Sequence, residues 1–141
     1  MVNAAMPEPR LPLPEVLRAH ARNTPDKQAL IWYGRAITYR ELDELSDRCA
    51  AVLSRLGVKE GEPVALFMQN CPQFVVAVHA VLRADAVVVP VNPMNKADEF
   101  GHYITDPGTR VVLTTADLVA TVAEANGRLP AEQQLRHIVA T

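Results

Sequence analysis

Apolar and polar positions change their period along the chain, and each change marks an element. The run VALFM over 64–68 has no polar alternation; Gly61 and Pro63 bound it before, Asn70 and Pro72 after. Such a run fits a strand buried on both faces, the normal state in a parallel sheet. A helix is expected next, with Asn70 or Cys71 at its cap and Pro72 in the first turn, where a missing N–H costs nothing. Phe74, Val75, Val78, Val81 and Leu82 fall at helical spacing, and Val76 and Ala77 fill most of what remains. This helix therefore reads as apolar nearly all round and deeply buried. AVVVPV over 86–91 makes a second continuous apolar run, stopped by Asn92 and Pro93. Strand, helix and strand with a short return form a βαβ unit, whose crossover should be right-handed.

The flanking segments extend this pattern. Residues 1–14 hold four of the eleven prolines and little to pack, so 1–13 is expected to be an extended or flexible arm before an α/β unit over 14–141. A short helix is expected over 15–23, with Val16, Leu17 and His20 on one side. Strand patterns at 28–33 and 35–38 flank Gly34 and read as a tight antiparallel hairpin, set apart from the parallel strands. Thr38 and Glu41 have capping-box spacing and open the clearest helix of the chain. Its stripe is Leu42, Leu45, Cys49, Val52, Leu53 and Leu56; Arg40, Asp43, Glu44, Asp47, Arg48 and Arg55 cover the other side, and Gly57 is its C-cap. After Pro93 come a helix over 96–105 capped by Asn95, with Phe100, Tyr103 and Ile104 inward, and a turn at 106–108. A third buried strand follows over 111–114. Thr115 should cap a helix to about 126, with Leu118, Val119 and Val122 inward and Asn126-Gly127 as its stop. A turn near 130–134 leads to a last strand at 137–140. The fold class is α/β: a largely parallel sheet flanked by helices, with an N-terminal antiparallel hairpin.

Composition narrows the functions open to such a layer. The chain has 141 residues, 49% of them hydrophobic and 21% charged, with a net charge of -2, enough for one domain with a core. The near-neutral balance argues against a nucleic-acid surface, which needs a basic patch. No apolar run approaches the ~20 residues of a membrane span, and the longest, 74–82, is interrupted by His79. The N-terminus lacks a basic start followed by an apolar block, so no signal peptide is expected. Cys49 and Cys71 are too few for a disulfide scaffold; both fall in helical patterns, where a reduced, buried thiol is expected, and this points to the cytoplasm.

Candidate chemistry is sparse. The six glycines form no phosphate loop; the nearest pair, Gly57 and Gly61, precedes a strand instead of opening a helix. Asp98 and His102 lie one helical turn apart beside Glu99, which could begin a metal site, but such a site needs three or four ligands, and a solvated helix face is the simpler reading. His79, inside an apolar helix, reads as a hydrogen-bonded core histidine before a catalytic base, and His20 and His137 have no identifiable partner. No serine or cysteine sits in a nucleophile context, and neither cysteine has a CxxC partner. Trp32 beside Tyr33 could wall a ligand pocket; edge-strand packing is the plainer role. No catalytic, cofactor-binding or metal-binding residue is assigned, and the substrate-binding residues are left open.

Several separated stretches resemble one family in order and spacing: TPDKQAL over 24–30, ITYRELDELSDRCAAVLSRLGVKEGEPVALFMQN over 37–70, AVVVPVNP over 86–93 and DPGTRVVLTT over 106–115. Together they are similar to the N-terminal part of the AMP-forming acyl-CoA synthetases, the adenylate-forming superfamily; VNPMNKADEF most resembles the bacterial long-chain fatty-acid–CoA ligases. The resemblance implies a reaction in which a carboxylate and ATP, with Mg2+, give an acyl-adenylate, and coenzyme A then displaces AMP. Fatty acid, ATP and CoA are thus the implied partners of the whole enzyme. The resemblance also implies that the catalytic motifs lie downstream, so that this chain is an inactive fragment, prone to self-association through an unfinished sheet. A free-standing, non-catalytic binding or dimerisation module is the alternative. What carries over is structural: Thr38-Tyr39 and Glu41-Leu42 start the long helix, Asn70 follows the first strand, and Pro90, Asn92 and Pro93 shape the exit of the second. Asn70 stands where open α/β sheets place ligands, although a helix cap is its expected role. Asp85 departs from the family, which usually has glycine just before AVVVPVNP; a positive φ there would be tolerated by Asp at some cost.

Overall fold

A computed structural model describes residues 11–141. Most of the arm expected at 1–13 lies outside the described residues. The first helix, α1 (Leu13–Asn23), starts two residues before the expected 15, with Pro14 in its first turn. The hairpin follows as β1 (Gln28–Trp32) and β2 (Arg35–Thr38), antiparallel and separate from the main sheet. Its two-residue turn, Tyr33-Gly34, has φ of +46° and +78°, the left-handed pair that matches strand twist. Next comes α2 (Tyr39–Arg55), opened by the capping box: the Glu41 N–H donates to the Thr38 hydroxyl at 3.2 Å, and the Thr38 N–H donates to the Glu41 carboxylate at 2.8 Å.

The main sheet is parallel, in the order β4-β3-β5-β6. Its strands are β3 (Pro63–Phe67), β4 (Val87–Val91), β5 (Val111–Thr114) and β6 (His137–Ala140). Three helices connect them: α3 (Pro72–Arg83), α4 (Ala97–Thr105) and α5 (Val119–Gly127). Strand pleating sorts the apolar run of β3 and its flank. Val64, Leu66 and Met68 join Leu53 of α2 and Ala77, Ala80 and Val81 of α3 in one core. Ala65 and Phe67 face Phe100 and Ile104 of α4 and Val122 and Ala125 of α5 in a second core. The winding runs from β3 to β4 past α3 on one face, then back over β3 to β5 past α4 on the other. That change of face is what crossovers of one hand require.

Several local expectations change. The helix α3 is not buried all round: only Ala77, Ala80 and Val81 are, while Phe74, Val75, Val76, Val78 and Leu82 stay half-buried because the side facing the hairpin is only partly covered. The strand 87–91 is an edge strand rather than a central one, with Val87 50% exposed. Pro90 suits that edge, since it has no N–H to offer a further neighbour. The N-cap of α4 is Lys96, not Asn95; the Glu99 carboxylate reaches back to accept the Lys96 N–H at 2.8 Å. Thr115 opens a 3-10 turn, Ala116–Leu118, and makes no side-chain cap, so α5 begins only at Val119. Gly127 ends α5 from within, and Arg128 is its C-cap. The half-buried Cys49 and Cys71 are less enclosed than expected.

Two helix ends use the same closure with different residues. At the end of α2, the Gly57 N–H donates to the Ser54 carbonyl and the Val58 N–H to the Leu53 carbonyl, the Schellman pattern, with Gly57 at φ +82°. At the end of α3, the Asp85 N–H donates to the Leu82 carbonyl and the Ala86 N–H to the Val81 carbonyl, with Asp85 at φ +53°. Asp85 thus occupies a left-handed position that costs an L residue more than glycine. Asp85→Gly should raise stability by about 0.5–1 kcal/mol, read as a higher urea midpoint at unchanged m-value. A lower midpoint would mean that the aspartate side chain more than offsets its backbone strain.

Candidate functional site

The chain's winding reverses between β3 and β5, and the crevice outside the carboxyl ends of such a pair is where open α/β sheets hold ligands. Here the seam is tied shut at its base: the buried Thr114 hydroxyl donates to the Phe67 carbonyl at 2.7 Å. Asn70 stands exposed just beyond β3. It does not cap α3; the cap residue is Cys71, through its backbone alone.

Two grooves open beside this edge, under the hairpin. The larger, about 720 Å3, runs between the hairpin and the facing sides of α2 and α3; Ile37, Leu45, Cys49, Val76 and Leu113 supply most of its apolar wall. Glu41, Glu44, Arg35 and Arg48 also line it. Glu41 is held below the usual carboxylate range by the Thr38 backbone N–H and then by the Thr38 hydroxyl, so it is committed to the helix cap. The smaller, about 280 Å3, is bounded by Leu30, Ile31, Asn70, Cys71, Phe74 and Val75. Trp32 walls both grooves, which brings it together with Asn70, a pairing that their distance in sequence conceals.

The remaining candidates are bound up in structure. Asp98 pairs with Arg128, which also pairs with Glu124. Glu99 holds the Lys96 N–H, while His102 sits with it in a separate depression beside Tyr103 and Asp106. His20 stacks on Tyr39 at 4.8 Å and ties α1 to the start of α2. The Cys49 thiol is pushed up by burial, which keeps it protonated and unreactive at neutral pH. The Ser46 hydroxyl, also buried, donates to the Leu42 carbonyl at 2.7 Å.

A further polar centre is Arg83, which sequence reasoning passed over. Its side chain, at the end of α3, is only 2% exposed. It pairs with Asp43 and Asp47 and also donates to the Asp43 carbonyl at 2.8 Å. Asp47 in turn meets Arg18, which binds Glu15, so α1, α2 and α3 share one ionic network. The one available signal was an arginine four residues after a helical histidine, opposite acidic positions on the preceding helix. His79, that histidine, is not hydrogen-bonded at Nδ1 as expected of it; this nitrogen is buried without a partner, as is Nε of Arg83. Burial, then the charge of Arg83, holds the His79 imidazole below its ordinary value, and Asp43 opposes them.

The fold so defined is a parallel α/β layer with an antiparallel hairpin packed beside it. Comparison with known proteins names the family. The AMP-binding enzyme family matches residues 17–141, and the chain belongs to it. It is 32% identical over 130 residues to a long-chain-fatty-acid–CoA ligase of Salmonella typhimurium, covering 92% of this chain and 22% of that protein. It is 34% identical over 111 residues to surfactin synthase subunit 1 of Bacillus subtilis, covering 79% of this chain and 3% of that one. The N-terminal domain of FACL13 from Mycobacterium tuberculosis superposes with a TM-score of 0.84 at 27% identity, over 91% of this chain and 33% of that domain. The fold is thus part of the N-terminal domain of adenylate-forming enzymes, and the chain spans only a small part of each relative.

The state of His79 leads to a pH prediction. Its folded value lies below that of the unfolded chain, so the unfolded chain binds more protons in the window between the two. Stability should therefore be fully present above about pH 6.5 and be lost progressively as pH falls below it. Urea midpoints measured from pH 5 to pH 8 should show this slope in the native chain and a flatter one in His79→Gln. Equal slopes would mean that His79 is solvated in the folded chain.

Proposed function

We propose that residues 14–141 are the N-terminal α/β subdomain of an AMP-forming fatty-acid–CoA ligase, and that this piece supplies scaffold rather than chemistry. The observation that carries this reading is the extent of likeness to the fatty-acid–CoA ligase: 92% of this chain against 22% of that protein. In the proposed reaction, a fatty-acid carboxylate attacks the α-phosphate of ATP, giving an acyl-adenylate and pyrophosphate. The thiol of CoA then attacks the acyl carbon and releases AMP. Magnesium would accompany ATP, and the residues for these steps would come from other parts of the polypeptide. Both cysteines are free, which fits a cytoplasmic enzyme.

The match to surfactin synthase supports a second reading, the adenylation domain of a peptide synthetase. Both readings begin with an adenylate and part at the thiol and the acid. A gene product extending beyond Thr141 should exchange pyrophosphate into ATP with fatty acids under the first reading and with amino acids under the second. Exchange with neither would overturn both. The 141-residue chain alone should give no exchange. It should also self-associate, because the edge strands β4 and β6 leave Val87 and Ile138 exposed. A monodisperse monomer at high concentration, binding no apolar dye, would favour a free-standing binding module instead.

A further inference from the structure

We draw no further inference here: the strongest candidate, the side-chain cluster of His79, Arg83, Asp43 and Asp47 between α2 and α3, belongs to the ionic network already described, and its titration is the pH dependence already predicted from it.

Discussion

The fold depends on the enclosure of β3 from both sides. Val64, Ala65, Leu66 and Phe67 are wholly buried and Met68 nearly so. Pleating sends alternate side chains into different cores, so one strand organises two helix layers. Burying a large apolar side chain is worth about 1.5–3 kcal/mol, so Val64, Leu66, Phe67 and Met68 supply a concentrated share of the gross hydrophobic term. The helices are placed by what this strand shows them. Phe100 of α4 lies against Phe67 with ring centroids at 4.6 Å, and Leu53 of α2 and Val81 of α3 meet the opposite side. The polar ties follow the same logic: the Thr114 hydroxyl bonds the Phe67 carbonyl inside that enclosure, where an unmet partner is costly.

Around that centre, helix ends and one ionic network set the remaining geometry. The closures after α2 and α3 aim the chain back toward β3 and β4, and each requires a left-handed residue. Gly57 fills the first without strain, and Asp85 accepts strain at the second. Arg83, the last residue of α3, fixes that helix against α2. A guanidinium this buried is tolerable because Asp43 and Asp47 neutralise it and the Asp43 carbonyl accepts a further hydrogen bond. His79, one turn earlier, shares the cost as an imidazole kept neutral beside a fixed cation.

Much of this was legible in the residues. The period of the apolar positions located α2, β3, β5 and the hairpin closely, because each is decided by short-range chemistry: a capping box, an uninterrupted run, or a left-handed turn. The glycine-to-aspartate departure at 85 marks a real left-handed position. What could not be read depended on neighbours distant in sequence. Hydrophobicity says that α3 and β4 can be buried, not what covers them. Neither does it show that Arg83 reaches Asp43, or that Trp32 and Asn70 border one groove, since the spacing of those residues carries no periodic signal. Caps at Asn95 and Thr115 failed for a local reason: Glu99 served the first helix better, and a 3-10 turn displaced the second.

The mismatch between apolarity and exposure bears on function. A helix apolar nearly all round and a valine-rich edge strand are sequences written for enclosure, yet α3 is half-buried and Val87 is open. The grooves beside α3 have largely apolar walls, and of the charged groups that line the larger one Glu41 is committed to a helix cap. Open apolar walls of this kind can be covered by further packing, as α4 and α5 cover the opposite face of β3. In the scaffold proposed for this piece, Glu41, Asp43, Asp47 and Arg83 hold helix ends and layers together, while the walls beside the hairpin stay open.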